Sequence, residues 1–199
     1  MHKTIIFDCG NVLIGFSRLK LLDVYVGSFQ EDRDLVDHAV FDNWDIQDSG
    51  VPSKTYYEMV IKNLPERLHK SAFNIIFHWK EQTWPIPGML ELIKRLKETG
   101  HQLVLLSNMP DTFTYDHDDV PVLSYFDELI FSYPLGFAKP DKKIFEYTIK
   151  KCNIDTSSCM FVDDNENNIN GAIEAGIEGY LFDKRNPQKY IDFVNETEF

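Results

Sequence analysis

Thr4-Ile5-Ile6-Phe7 is a short run of β-branched and aromatic residues that ends on an acid, Asp8, followed at once by Cys9-Gly10-Asn11. A short apolar run closed by a turn is the pattern of a parallel strand covered on both faces. It delivers a carboxylate at its C-terminal end, where ligands of open α/β sheets bind. A chain that begins this way is constrained to supply further parallel strands, helices to cover them, and crossovers that return each strand in the same direction.

The rest of the chain meets that requirement. Gln102-Leu103-Val104-Leu105-Leu106 ends at Ser107-Asn108, Leu129-Ile130-Phe131 is a third strand, Cys159-Met160-Phe161-Val162 ends at Asp163-Asp164, and Gly179-Tyr180-Leu181-Phe182 is a fifth. Between them lie helical spacings. Met89, Leu92, Ile93 and Leu96 form one apolar face stopped by Gly100. Ile144, Phe145, Thr148, Ile149 and Cys152 follow Lys139-Pro140-Asp141. Residues 169–175 end at Gly176, and a last helix covers 187–195. Alternating strands and helices predict a three-layer, Rossmann-like α/β fold around a parallel sheet.

One stretch departs from this alternation. Gly10 and Gly15 bracket a short apolar segment that reads as a tight turn with a small hairpin or flap. Residues 17–84 then carry helical patterns alone: 18–26, 31–41, a third helix N-capped by Ser53 with Tyr56, Met59, Val60 and Leu64 on one face, and a fourth from about 65 to 80. Trp84-Pro85-Ile86-Pro87-Gly88 is a stiff, non-helical linker. The expected organisation is a core of residues 1–16 and 85–199, interrupted by an all-helical unit of residues 17–84.

Charge narrows the partners. The net charge of the 199-residue chain is −12 with no basic run, so it repels nucleic acid backbones and anionic lipid, and neither is an expected partner. No apolar stretch reaches the roughly 18 residues of a membrane span. Cys9, Cys152 and Cys159 are odd in number and lack metal-site spacing. They are expected to be buried, reduced thiols of a cytoplasmic protein that opens on a strand without a leader. Cys9 points to the opposite sheet face from Asp8. An anionic substrate would need local cations or a metal to offset the surrounding field. Nothing in the sequence demands an oligomer, and a monomer is compatible with it.

Four sites fall at strand ends or a helix start: Asp8, Ser107 with Asn108, Lys139, and Asp163 with Asp164. Each alone has a plain explanation as a turn cap, an N-cap, a surface lysine or a solvated acid pair. Those explanations do not account for all four appearing at the open edge of one sheet. Converging carboxylates repel one another and resist ionising unless a hard divalent cation removes the cost. Magnesium prefers oxygen ligands, and Asp8, Asp164, Asp163 and a backbone carbonyl suit it. Asp8 can then attack phosphorus to give an aspartyl-phosphate that water hydrolyses, with Ser107, Asn108 and Lys139 holding the phosphoryl oxygens.

The order Asp8-Cys9-Gly10-Asn11-Val12, Leu106-Ser107-Asn108, Lys139-Pro140-Asp141 and Phe161-Val162-Asp163-Asp164-Asn165-Glu166-Asn167-Asn168 resembles the four motifs of the haloacid dehalogenase-like (HAD) hydrolase superfamily. The match spans nearly the whole chain, and the helical insertion resembles that superfamily's cap. The Asp-x-Gly-Asn-Val turn looks most like bacterial sugar-phosphate phosphatases of the α-D-glucose-1-phosphate phosphatase type. The resemblance implies a magnesium-dependent phosphatase acting on a small phosphorylated metabolite. It implies Asp8 as nucleophile and metal ligand, Gly10 as a main-chain carbonyl ligand, and Asp164, with Asp163 beside it, as metal ligands. It gives Ser107 and Lys139 to phosphate, with Asn108 in support.

Gly10 is also the departure from the resemblance. Most phosphatases of the superfamily carry a second Asp there, which protonates the leaving group and then activates water. A positioned general acid is worth about 10²–10⁴ in rate, and Asn11 cannot supply one. Activity is therefore expected to rise as leaving-group pKa falls. Substrate choice is expected to come from the helical insertion and flap, with Trp44, Asp45 and Phe16 as candidates beside Gln47, Tyr56 and Trp84. His38, His69, His78, His101 and His117 lack ligand spacing and are expected to be non-catalytic. The competing classes are a metal-independent haloacid dehalogenase, against which Asp163-Asp164 argues, a phosphomutase, and a non-catalytic binding protein that lost turnover with the second Asp.

Overall fold

A computed structural model describes residues 3–113 and 120–197. In chain order the elements are β1 (Thr4–Phe7), β2 (Ile14–Gly15), α1 (Arg18–Tyr25), α2 (Gln30–Phe41), α3 (Asp45–Asp48), α4 (Ser53–Val60), α5 (His69–His78), β3 (Trp84–Pro85), α6 (Met89–Glu98), β4 (Gln102–Ser107), β5 (Glu128–Phe131), α7 (Lys142–Cys152), β6 (Cys159–Asp163), α8 (Glu166–Glu174), β7 (Glu178–Leu181) and α9 (Gln188–Glu196). The large sheet is parallel with strand order β5-β4-β1-β6-β7. The chain thus winds outward from β1 in one direction and then in the other, and the reversal falls between β1 and β6. That is the topological switch point, where α/β sheets open a crevice. Phe7 stands opposite both Leu105 and Val162, so the residues leaving these three strands emerge side by side.

Strand alternation sorts the core into two layers. Ile5, Phe7 and Cys9 belong to one cluster, while Ile6 packs with Val104, Leu106, Ile144, Phe145 and Phe161 on the other face. Cys9 therefore does point away from Asp8, and all three cysteines are free and buried. The first cluster continues past the sheet into the inserted helices through Leu21, Val36, Val40, Tyr56, Ile75 and Ile76. No helix among the described residues is long and apolar enough to cross a membrane.

The helical stretch differs from its pattern in four places. The single helix expected over 65–80 is a 3₁₀ turn, α5, and a second 3₁₀ turn at Trp79–Gln82. Ser53 does not cap α4: Pro52 holds the N-cap position, and the Ser53 N–H and hydroxyl both donate to Asp111 Oδ1. Met59 is exposed, since Tyr56 and Val60 fill the inward face of α4. The stiff linker is also a strand: β3 pairs antiparallel with β2, and the Trp84 ring lies against Gly15, where a Cβ would meet it at 2.2 Å. The polar loop expected over 109–120 lies partly outside the described residues, as does His117.

Candidate active site

The site is built where β1, β4 and β6 end. The Asp8 N–H extends the ladder by donating to the Val162 carbonyl at 2.9 Å, which fixes its backbone beside Asp163. The chain then turns sharply: Leu13 and Ile14 N–H donate to the Cys9 carbonyl, and Asn11 takes a left-handed φ of 58°. Asn11 tolerates that conformation because its short amide bonds locally, here by accepting from the Phe16 N–H at 3.2 Å. The flap is thereby held over the strand ends.

Four of the sequence-derived residues converge on Asp8. Ser107 Oγ donates to Asp8 Oδ1 at 3.0 Å, and Lys139 Nζ donates to the same oxygen at 2.7 Å. Lys139 Nζ also reaches Asp163 Oδ2 at 2.7 Å, although its side chain is only 1% exposed. Asp8, Asp163 and Asp164 place one carboxylate oxygen each within 4.8 Å of one another.

These groups perturb each other. Burial raises the Asp8 carboxyl to about 7; Lys139 opposes that rise, and Asp163 adds to it. Burial works to lower the Lys139 pKa, but the two adjoining carboxylates outweigh it and hold the ammonium charged. Burial, with Asp8 alongside, pushes the Cys9 thiol up, so it is no nucleophile at neutral pH.

Asn108 and Asp163 serve Lys139. The Asn108 amide exchanges two hydrogen bonds with the Lys139 backbone, each 2.9 Å. Asp163 is fully buried, and its oxygens also accept from the Asn165 N–H at 2.8 Å and Asn168 Nδ2 at 3.0 Å. From the other side, Gly171 of α8 lets the helix sit on the turn after Lys139, where a Cβ would come within 2.5 Å of the Pro140 carbonyl oxygen. Asp164 is less enclosed and meets Lys184 Nζ at 3.1 Å.

A cavity of about 140 Å³ opens over Asp8, Ser107 and Lys139, and Gly10, Asn108, Phe16 and Trp44 are among its walls. Phe16 and Trp44, two of the candidates for substrate choice, thus both line the cavity. Asp45 is exposed and does not line the cavity, because α3 turns it outward. Tyr56 is buried among the inserted helices, with its hydroxyl donating to the Val40 carbonyl, and Trp84 lies against the flap. Among the wall residues that sequence reasoning missed is Trp79, whose ring meets Phe16 edge-on at 5.8 Å and stacks on Phe113 at 5.9 Å. It sat inside an expected continuous helix, and only the 3₁₀ break turns it inward. His38 and His78 pair with Asp42 and Glu81, while His69 and His101 bond backbone carbonyls, all away from the cavity.

A buried carboxylate that accepts from a hydroxyl and an ammonium on one oxygen, with two further acids beside it, stands at the switch point of a parallel α/β sheet, where hydrolase centres of this class are built. The family comparison agrees: the model for haloacid dehalogenase-like hydrolases matches residues 2–176, and the chain belongs to that family. It is 25% identical over 194 residues to D-ribitol-5-phosphate phosphatase of Bacteroides thetaiotaomicron, covering 90% of this chain and 91% of that one. Among solved structures it resembles a HAD-like hydrolase from Porphyromonas gingivalis, with TM-score 0.74, 19% identity, and 99% and 100% of the two chains covered. A HAD family enzyme from B. thetaiotaomicron superposes with TM-score 0.70 at 21% identity over 96% and 98%.

Proposed function

We propose that this hydrolase is a magnesium-dependent phosphatase that cleaves a small phosphorylated metabolite, a sugar or polyol phosphate, through an aspartyl-phosphate on Asp8. The observation that carries this reading is the shared oxygen: Ser107 Oγ and Lys139 Nζ both donate to Asp8 Oδ1. Donors aimed at one carboxylate oxygen are placed to shift onto phosphoryl oxygens when phosphorus bonds to that carboxylate. The relative named above acts on a polyol phosphate, and the cavity's small volume and aromatic walls suit a substrate of that size. In this reading residues 17–84 act as the cap that sets specificity over a core of residues 1–16 and 85–199.

The donor set fits magnesium. It contains only oxygens, and Asp8 and Asp164 with the Gly10 carbonyl are the ligands we assign. Asp163 accepts Lys139, Asn165 and Asn168 and is better described as the residue that orients Lys139. Asn108 fixes the Lys139 backbone in the same way. The Bacteroides fold neighbour has been crystallised as a magnesium complex. Bound magnesium would neutralise the carboxylates and polarise the phosphoryl group. The protein's residues do the rest: Asp8 attacks, Lys139 and Ser107 spread the developing charge, and the flap and aromatic walls exclude bulk water.

Two results are expected. Phosphate release from a panel of sugar and polyol phosphates requires added magnesium, and a 2-haloacid gives no halide; halide release without metal would replace this reading with dehalogenation. Because metal needs ionised Asp8, magnesium affinity climbs as pH rises towards about 7 and levels off above it. Calorimetric titration between pH 5.5 and 8.5 checks the sign.

A further inference from the structure

Gly10 leaves the nucleophile without the acid that departing alcohols need, and it lines the cavity with no side chain of its own. The helix that supplies Trp44 to the opposite wall carries one. Asp48 closes α3, one helical turn after Trp44, which faces Asp8 and Lys139 across the cavity. The segment that follows is docked on the loops bearing the site. Gly50 lies against the core turn at Gly136, where an added Cβ would come within 3.1 Å of the Gly136 Cα. Ser53 donates to Asp111, just past Asn108, Met109 and Pro110 of the cavity wall.

Among the described residues Asp48 Oδ1 is sealed from solvent and has no hydrogen-bond partner. The same is true of both amide atoms of the fully buried Gln47 and of Trp79 Nε1. Buried polar atoms in native proteins are paired. Apart from the Tyr190 hydroxyl in the core, the unpaired buried atoms among the described residues are these four, on Trp79 of the cavity wall and on the helix that begins at its Trp44, where a polar ligand would pair them. The charges acting on Asp48 are Lys139 and Asp8 from the core and Asp45 from its own helix.

Resting on the phosphatase reading, we propose that Asp48 of the cap is the general acid–base of this enzyme, in the role that Gly10 cannot fill. Asp8 Oδ attacks phosphorus while the bond from phosphorus to the leaving oxygen breaks, and the Asp48 carboxyl gives its proton to that oxygen. The alcohol departs. Water then attacks the same phosphorus and passes a proton to the Asp48 carboxylate as the bond from phosphorus to Asp8 breaks. Inorganic phosphate leaves, Asp8 is again a carboxylate, and Asp48 is again protonated. Burial raises the Asp48 carboxyl to about 7; Lys139 opposes that rise, and Asp8 and Asp45 add to it. That is the range in which one group can both give and take a proton at neutral pH. Gln47 and Trp79 would hold substrate hydroxyls beside it.

The steep leaving-group dependence expected of a site without an acid then belongs to the Asp48→Asn variant, not to wild type. The test compares wild type and Asp48→Asn, with magnesium, on an alkyl phosphate and on 4-nitrophenyl phosphate, whose leaving group needs no proton. We expect wild type to show a shallow dependence. Asp48→Asn should lose about 10²–10³-fold on the alkyl ester and less than about tenfold on the aryl ester. It should also lose the fall in wild-type kcat/KM for the alkyl ester as pH rises above about 7. Equal losses on both esters, no loss on either, or a steep dependence already present in wild type overturns the assignment while magnesium-dependent turnover of the aryl ester keeps the phosphatase reading. Release of phosphate from neither ester by wild type ends both. The wild-type slope needs no variant, so a misfolded Asp48→Asn protein does not remove the test.

Discussion

Asp8→Asn will lower magnesium-dependent phosphate release by about 10⁴-fold or more, the scale seen when a nucleophile is deleted from a preorganised centre. The change is nearly isosteric, so packing is preserved. A carboxamide neither attacks phosphorus usefully nor ligates a cation as a carboxylate does. Ser107 and Lys139 keep an oxygen to which they can donate, so inorganic phosphate should still bind the variant. The fold should survive because burial disfavours the Asp8 charge in the first place. Removing a charge whose pKa is raised to about 7 takes away a cost that grows with pH. In metal-free buffer, then, Asp8→Asn should match or exceed wild type in Tm at pH 8. Phosphate-release kinetics and thermal melts check both halves. Residual activity above about a hundredth of wild type would remove Asp8 from the role of nucleophile.

Asp8, Ser107, Asn108, Asp163 and Asp164 were readable because each ends or follows a strand with its own signal, and Lys139 because it stands just before a patterned helix. Thr4–Phe7, Gln102–Ser107 and Cys159–Asp163 are short apolar runs, and parallel strands must end on one edge. Any polar residue immediately after them is therefore delivered to a common crevice, however distant in sequence. The cap side gave no such signal. Asp48 lies in an acidic, mostly polar stretch that reads as solvated surface. The segment after it, residues 50–53, docks on the turns at 111 and 136, a contact between irregular segments without periodicity. Trp79 was hidden in the same way by the 3₁₀ break that ends α5. Ser53 looked like an N-cap because serine before a helical face usually is one, but the Asp111 carboxylate is the stronger acceptor and takes both of its donors. Local pattern places what regular elements carry; tertiary docking decides what loops present.

Lys139→Met will cost the most stability of any single change at the site. Lys139 Nζ is the buried cation between Asp8 Oδ1 and Asp163 Oδ2, at 2.7 Å from each. Removing one partner of a buried ionic cluster leaves uncompensated charge and typically costs about 3–5 kcal/mol. For a chain of this size that is a Tm drop of roughly 6–20 °C in metal-free buffer at pH 8. Methionine keeps most of the stem that packs beside Phe161, whose ring centre is 5.3 Å from Nζ, so the loss reports charge rather than a cavity. The sign of its pH dependence follows from the same charges. Without the ammonium, which opposes the rise at Asp8, the folded state binds a proton at Asp8 more tightly than wild type does. The deficit is therefore full at high pH and narrows as Asp8 protonates on acidification. Magnesium, by supplying the missing positive charge, should raise the Tm of Lys139→Met more than that of wild type. A Lys139→Met protein within about 1 kcal/mol of wild type at pH 8 would mean that the two acids do not need this cation, and that the centre is held together by packing of the strand ends alone.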